Sequence, residues 1–282
     1  MIAEAVTAGP NAWQIDWQQP WLADLRPLGQ RVYALVLGGA SVAEALQQVA
    51  DAQGLRSLTG WQFVDQKQLP AGMAYEAFIR AQRCIPTRDN LHDFFNGLIW
   101  LHWPQLKQHL NALQAAEIER QGIGARRGTL RDAVTVLDEN GGFLLAPRVL
   151  CDALREKRWH DLFVRQRDAW AQARFFTLGH ALLEKLVQPR KPITAHVICV
   201  ALEQLATPIQ SLPNAEQQLL AHLHTPSCNL AEKPYLPIPI LGIPGWCKEN
   251  QNFSFYDDSL VFRAPRTVQT TQQRVLPERD LA

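Results

Sequence analysis

The chain has 282 residues, of which 47% are hydrophobic and 20% are charged. This composition supplies enough apolar surface for a large core and excludes an intrinsically disordered protein. The 28 Lys and Arg residues nearly balance the 27 Asp and Glu residues, for a formal net charge of +1. A protein that coats nucleic acid through a broadly basic surface is therefore not indicated.

The cysteines and the apolar stretches predict a soluble, cytoplasmic protein. The five cysteines are odd in number and contain no C-x-x-C pair, so a reducing compartment suits them better than a disulfide framework. The opening Met-Ile-Ala-Glu carries an acid where a secretory signal needs basic residues. The longest apolar stretches are well short of the roughly 20 residues that cross a bilayer, so no membrane contact is expected.

The N-terminal part predicts an irregular arm and then a capped helix. The arm covers about residues 1–30 and is rich in Trp, Gln and Pro. Ser41 and Glu44 have the spacing of a capping box, in which each side chain binds the backbone of the other residue. A helix is therefore predicted from about 42 to 53, with Gly54 ending it.

Three helices are predicted over the next part of the chain. The first covers about 73–84 and stops ahead of a proline. Asp89 or Asn90 can cap the second, which runs to about His102, and Pro104 favours the start of the third. His102 itself falls on the apolar face of its helix, where a neutral core histidine is the simplest explanation.

The last two of these helices each carry a polar face, and the short break between them leaves the two faces at one corner. Asp93 and Asn96 lie opposite the broad apolar face of the first. Lys107, Asn111 and Gln114 share one face of the second, away from a stripe of leucines.

The segment from 131 to 146 predicts a β-hairpin. Residues 131–137 alternate loosely between polar and apolar, and 142–146 are mostly apolar. Between them, Asn140-Gly141 is typical of a two-residue hairpin turn. A helix is the competing prediction.

Further helices and one strand are predicted downstream. A helical region follows from 147 to about 174, with 158–160 as the candidate place for a break, and Thr177 can cap a helix over 178–187. Residues 192–202 are β-branched enough at their start for a strand, although their end could begin a helix. A capping-box spacing at Asn214 predicts one more helix, to about residue 223.

The C-terminal segment, residues 229–263, is crowded with Pro and Gly but strongly apolar. It cannot form a helix and is too apolar to stay in solvent, so we predict a wrap that packs in extended form over the helices. A flexible tail is expected over 266–282. The chain is therefore predicted to have an α+β fold: one mainly helical domain over 1–265 with a small β-hairpin and this proline-rich wrap.

Positive charge is concentrated in the middle of the chain. Residues 120–191 contain 14 Lys and Arg against 8 Asp and Glu, an asymmetry that can attract a small anionic ligand. Arg127 lies among glycines, where a guanidinium group suits a phosphate or a carboxylate. The alternative is that these arginines pair with neighbouring acids on solvated helix faces.

A divalent metal site is one functional possibility. His180 and Glu184 are four residues apart on one helical face, a spacing that lets two side chains bind one ion, and His196 is a candidate third ligand. The same His–Glu pair would also stabilise a helix without any metal.

Acid–base chemistry on an anionic substrate is the other possibility. The candidate catalytic residues are carboxylates and imidazoles: His92, Asp132, Asp138, Glu139 and His180. The candidate substrate-binding residues are polar or cationic: Asn96, Lys107, Asn111, Arg127 and Arg131. The same side chains also suit helix caps and turns. A hydrolase-like enzyme acting on an anionic or phosphate-containing substrate and a non-catalytic binding or scaffold protein are therefore alternative hypotheses.

Four sequence blocks together resemble a bacterial protein family. They begin at Pro86 (PTRDNLHDFFNGLIW), Arg131 (RDA, with DENG following), Gly179 (GHALLEK) and Gly242 (GIPGW). The family is catalogued only as a domain of unknown function. The resemblance implies a cytoplasmic bacterial protein, mostly from proteobacteria, and it brings no activity, cofactor or catalytic residue with it.

Overall fold

Helices form most of the regular structure. The computed structural model describes residues 13–54, 60–122, 128–205 and 211–265. Within these residues the α-helices are α1 (Arg26–Leu37), α2 (Val42–Ala52), α3 (Tyr75–Gln82), α4 (Leu91–His102), α5 (Pro104–Gln121), α6 (Thr129–Asn140), α7 (Arg148–Arg155), α8 (His180–Leu186) and α9 (Leu212–Leu223). In this part of the chain, no helix combines the length and the apolar character needed to span a bilayer.

Two small sheets complete the mainly helical α+β fold, which confirms the predicted class. The first pairs β1 (Gln62–Asp65) in parallel with β2 (Cys84–Thr87). The second consists of β3 (Gly141–Ala146), β4 (Arg174–Thr177), β5 (Thr194–Ala201) and β6 (Leu236–Pro239), in the order β4-β3-β5-β6. Strands β3 and β5 are parallel, and the two outer strands run antiparallel to them. Because every residue of β3 is buried, this strand lies at the centre of the core.

The N-terminal arm is anchored by aromatic packing on α4. Trp13 and Trp17 are both buried, and their ring centroids lie 5.4 and 6.4 Å from that of Phe94. The Tyr33 hydroxyl of α1 donates a hydrogen bond of 2.5 Å to the Trp13 carbonyl. The arm and α1 therefore cover the side of α4 that faces away from its polar residues.

The corner between α4 and α5 is fixed by local sequence. The Asn90 side chain accepts a hydrogen bond of 2.8 Å from the Asp93 backbone N–H and caps α4. Trp103 leaves the helical region, with φ −126° and ψ 59°, and Pro104 begins α5. At the start of α5 the buried Glu216 carboxylate accepts the backbone N–H groups of the next two residues, Gln105 and Leu106, at 2.9 Å each.

The predicted β-hairpin is wrong, and its competing helix is the observed structure. Residues 129–140 form α6, whose buried positions Ala133, Val134 and Leu137 have helical spacing. Gly141 is needed at the passage from helix to strand, because a Cβ there would lie 2.1 Å from the Leu137 carbonyl oxygen. The Asn-Gly pair thus ends a helix and begins β3, whose neighbours β4 and β5 come from later in the chain.

Several predicted boundaries also change. The helix predicted over 73–84 stops at Gln82, and β2 follows it. The helical region predicted from 147 ends at Arg155, since Lys157 adopts a left-handed φ of 52°. Asp161–Arg165 is a π-helical turn and Arg167–Gln172 is a 3-10 helix. Arg174, where the predicted region ends, begins β4 on the edge of the larger sheet.

Two predicted caps are also reassigned. Thr177 ends β4 instead of capping a helix, and its hydroxyl lies 3.5 Å from the Trp21 carbonyl. Gly179 is the N-cap of α8. The helix α9 is capped by Ser211, and Asn214 supplies the backbone N–H that Ser211 accepts.

The proline-rich segment forms the predicted wrap. Its strand β6 pairs with β5, and short 3-10 turns follow. Asn250 is fully buried, and its amide donates to the carbonyls of Leu241 and Ile243 at 2.8 and 2.7 Å. These bonds tie the Asn250 side chain to the irregular backbone of the segment and satisfy its buried amide N–H groups. The predicted tail, 266–282, lies outside the described residues.

Candidate functional site

A polar cavity of about 430 Å³ lies among α3, α4, α5 and α6. Asp93 and Asn96 of α4 and Lys107 and Asn111 of α5 line it, so the structure brings together the two polar faces at the corner. Lys107 is only 4% exposed and Asn111 only 3%. Polar groups buried to this degree require partners, and in the cavity those partners are mostly other polar side chains.

Lys107 is the central cation of the cavity. Its Nζ atom donates to Asn96 Oδ1 at 2.8 Å and to Asp138 Oδ1 at 2.5 Å, and it lies 5.5 Å from the centre of the Trp100 ring. Burial alone would raise the pKa of Asp138, but the charge of Lys107, followed by that of His180, holds this pKa below its usual value. Asp138 therefore stays ionised inside the cavity.

Two histidines from distant parts of the chain meet at the cavity wall. The Nε2 atoms of His92 on α4 and His180 on α8 lie 3.1 Å apart. The Nδ1 atom of His92 bonds to Glu184 Oε2 at 2.8 Å. His180 Nδ1 lies 3.7 Å from Asp138 Oδ2, which is longer than a hydrogen bond, and it lacks a bond of normal geometry among the described residues. The side chains thus follow one another in a single row, in the order Glu184, His92, His180 and Asp138.

The environment pushes the pKa values of the two histidines in opposite directions. The hydrogen bond to Glu184 raises the pKa of His92. Burial lowers the pKa of His180 to about 3, although Asp138 opposes this shift. Of the two imidazoles, His92 is therefore the one that takes up an added proton first, and His180 is neutral at neutral pH.

A half-buried carboxylate and a half-buried phenol, Glu76 and Tyr75, also line the cavity. Asn111 Nδ2 donates to Glu76 Oε2 at 2.7 Å, and the Tyr75 hydroxyl accepts from Asn96 Nδ2 at 3.1 Å. Burial and, to a smaller extent, the charge of Asp138 raise the pKa of Glu76. Within the described residues, Asn111 Oδ1 has no hydrogen-bond donor. At this part of the cavity, an unsatisfied acceptor therefore lies beside a carboxyl group whose pKa is raised.

Two arginines also line the cavity, and within the described residues only Arg88 forms an ion pair. Arg88 binds both oxygens of Asp93, with Nε–Oδ2 and Nη2–Oδ1 distances of 3.0 and 2.9 Å. Arg131 of α6 has its buried Nε without an acceptor among the described residues. Arg131 is therefore the cavity side chain with an open charge-assisted donor.

The remaining predicted site residues are placed differently. Glu139 lines the cavity beside Asp138, whereas Asp132 is absent from the cavity wall and pairs with Lys233. His196 lies on β5 opposite Gly141 and is likewise absent from the wall. Arg127 lies outside the described residues.

The three predicted metal ligands are not assembled as a set. In the described ranges, no group of three or more His, Cys, Asp or Glu side chains is arranged to hold a metal ion. His180 and Glu184 instead bracket the imidazole of His92. A metal at this helix stays a prediction, and no step below depends on it.

Much of the basic middle segment is paired locally. Arg155 binds Asp152 at 2.7 Å, and Asp161 binds both Arg158 and Arg165. These contacts join residues three or four positions apart on or beside helical segments, in agreement with the alternative in which the arginines pair with neighbouring acids. Attraction of an anion therefore depends on individual cavity cations rather than on the segment as a whole.

The sequence patterns did not identify Tyr75, Glu76 or Arg88 as site residues. Glu76 lies in the first turn of α3, where an acid is explained by the helix dipole. Its contact with Asn111 joins residues 35 positions apart, so no local spacing could reveal it. Arg88 lies within the sequence block that begins at Pro86, which was the one available signal.

The family model described as "Protein of unknown function (DUF3025)" matches residues 61–266 of the chain. The chain belongs to the DUF3025 family. The matched region contains every residue of the cavity described above, whereas the N-terminal arm, α1 and α2 precede it. No curated protein and no solved structure matches this DUF3025 chain.

Proposed function

We propose that this protein is an enzyme of the hydrolase type that performs acid–base chemistry on a small anionic substrate bound in the polar cavity. The observation that carries the proposal is the contact between His92 and His180, with a carboxylate near each end of the pair. Two imidazoles with oppositely shifted pKa values, in a cavity with several buried charges, are typical of a catalytic site.

The geometry supports a relay in which His180 is the general base. In the neutral pair, His92 donates through Nδ1 to Glu184, so its Nε2 accepts the Nε2 proton of His180. His180 Nδ1 then carries the lone pair, and it lies buried beside Asp138, whose Oδ2 is 3.7 Å away and would stabilise a proton taken up there. When Nδ1 takes a proton from the substrate or from water, the Nε2 proton passes to His92, where Glu184 stabilises the imidazolium.

The unpaired polar atoms of the cavity define what the substrate carries. Arg131 Nε, with Lys107 nearby, favours a carboxylate or phosphate group. Asn111 Oδ1 and the Glu76 carboxyl group favour an N–H or O–H donor at the other side. The proposed substrate is therefore a small molecule with one anionic group and at least one hydrogen-bond donor.

The location is part of the same proposal. The odd number of cysteines and the reducing compartment that suits them support a cytoplasmic enzyme.

Metabolite turnover tests this function. The full-length protein is incubated with a bacterial small-molecule extract, and time-dependent losses and gains are followed by mass spectrometry. We expect one anionic compound to be consumed by the wild type, with at least a 100-fold slower loss in His180→Gln because the base is removed. His160→Gln is the matched control, since His160 is exposed, bonds to Asp257 and does not line the cavity described above.

Substrate binding is tested separately with inorganic phosphate and with citrate by isothermal titration. Arg131→Gln is expected to weaken binding about tenfold or more, because it removes the open donor. Identical extracts after incubation with wild type and His180→Gln, together with no binding of either anion, would contradict the enzyme. That result would favour the scaffold alternative, in which Lys107, Asp138 and Asn96 only tie α4, α5 and α6 together.

A further inference from the structure

Two thiols meet on the larger sheet, away from the polar cavity. Cys151 on α7 and Cys199 on β5 are 48 residues apart in sequence, yet their Sγ atoms are 3.0 Å apart. Both are free thiols. A disulfide bond is about 2.05 Å long, so the two sulfurs need to approach by only about 1 Å to form one.

This pair is distinguished from the other cysteines. In the described part of the chain, no other two cysteines make a sulfur–sulfur contact; Cys84 Sγ and Cys247 Sγ instead contact backbone carbonyls. The Sγ atom of Cys151 also contacts the Ala146 carbonyl at 3.6 Å, at the end of β3. Both thiols therefore lie on fixed secondary structure and point at each other.

We propose that Cys151 and Cys199 form a dithiol site that hydrogen peroxide oxidises reversibly to a disulfide. One thiol first attacks the peroxide: an S–O bond forms, the O–O bond breaks, and water leaves, which gives a sulfenic acid. The second thiol then attacks the sulfenic sulfur: the S–S bond forms, the S–O bond breaks, and a second water leaves. The two thiols lose two electrons and two protons, and the peroxide is reduced to two water molecules.

The surroundings favour a cycle that stops at the disulfide. Cys199 is partly exposed, so an oxidant can reach the pair, whereas Cys151 is only 2% exposed. The hydrogen bond from Cys199, and to a smaller extent the charge of Arg155, lower the pKa of Cys151. A thiolate is the reactive form of cysteine, and a second thiol in contact competes with further oxidation to sulfinic acid.

Oxidation of the reduced full-length protein with a stoichiometric amount of hydrogen peroxide tests the site. We expect the chain to lose two of its five titratable thiols, to lose about 2 Da in mass, and to yield a peptide pair linked through Cys151 and Cys199. Dithiothreitol is expected to restore all five thiols.

Two variants separate this site from general thiol oxidation. Cys199→Ser removes the partner thiol, so the linked peptide is lost, and oxidised Cys151 is expected to stay a sulfenic acid, read as a mass gain of about 16 Da. Cys247→Ser is the matched control, and it is expected to form the linked peptide as the wild type does.

The proposal is overturned if Cys151 and Cys199 are recovered unlinked after oxidation of the folded chain. It is equally overturned if folded and urea-unfolded chains give the same mixture of cysteine pairings, because proximity would then not direct the reaction. Neither outcome depends on turnover in the polar cavity.

Discussion

His92 and His180 place their Nε2 atoms 3.1 Å apart, although 88 positions separate them in the chain. Glu184, one turn beyond His180 on α8, binds the remaining ring nitrogen of His92. His180 and Glu184, four residues apart on α8, therefore contact the two ring nitrogens of His92 on α4. This arrangement makes the protonation of His92 depend on a residue that can be changed without touching the cavity wall.

Glu184→Gln is expected to lower the pKa of His92, because the carboxylate that stabilises the imidazolium is lost. NMR titration of the His92 ring protons measures the shift directly. Because the pKa of His92 is raised in the folded state, its protonation stabilises the fold. The whole of this stabilisation is present below the unfolded pKa of 6.5, and it is lost as the pH rises through the folded pKa. The variant should therefore lose more unfolding free energy at about pH 5 than at about pH 9.

The control for this titration is Asp257→Asn, which removes an exposed carboxylate 3.4 Å from His160. It is expected to leave the His92 titration unchanged. An unshifted His92 pKa in Glu184→Gln would show that the carboxylate does not act on the imidazole.

The pKa of His180 is depressed, so this residue makes the free energy of unfolding fall at acid pH, whereas the raised pKa of His92 has the opposite effect. Burial depresses the folded pKa of His180 to about 3, so between pH 6.5 and that value the unfolded chain binds a proton that the folded chain does not. Stability is therefore lost as pH falls through this window, and His180→Gln is expected to flatten the loss. Urea unfolding at several pH values measures this loss. If the unfolding free energies of wild type and variant fall equally steeply with falling pH, the pKa of His180 is not depressed in the folded state.

His102, the last residue of α4, provides the comparison. Burial lowers the pKa of His102 to about 4. His102→Gln is therefore also expected to reduce the loss of unfolding free energy at acid pH. His102 is absent from the cavity wall, and its variant should keep both anion binding and turnover.

Lys107→Met is expected to destabilise the fold by about 3–5 kcal/mol, because it leaves the buried Asp138 carboxylate without its ammonium partner. The double variant with Asp138→Asn removes both charges and should recover part of this loss, as urea unfolding would measure. Lys233→Met is the control: it breaks the half-exposed pair with Asp132 and should cost less than about 1 kcal/mol. Equal costs for the two lysine variants would contradict a buried ion pair.

Local sequence was sufficient for the corner that forms the cavity. Asn90, Pro104 and the periodicity of the leucines fix where α4 and α5 begin and which faces are buried. Once those faces are fixed, Asn96 and Lys107 must point to the same side of the corner. This part of the site depends on residues within one helical hairpin, and sequence spacing describes such short-range geometry well.

The rest of the site depends on tertiary contacts that spacing does not encode. The hairpin prediction failed because Asn140-Gly141 suits a two-residue turn and equally a helix-to-strand passage; the buried spacing of Val134 and Leu137 was the better signal. The pairing of His92 with His180 requires α8 to pack on α4. Nothing near either residue in sequence records that packing.

Gly97→Ala is expected to destabilise the protein by about 1–3 kcal/mol, because a Cβ at this position of α4 would lie 2.1 Å from Leu46 Cδ1. Leu46 of α2 is fully buried and cannot move into solvent. Adding Leu46→Ala to Gly97→Ala relieves the overlap. The double variant is therefore expected to lose less unfolding free energy than the two single variants lose together, as measured by urea unfolding. Gly38→Ala is the control, since its Cβ would meet nothing closer than 3.2 Å. If the losses of unfolding free energy in the two single variants simply add, α2 does not pack closely on α4. The residues of α2 precede those that match the family model.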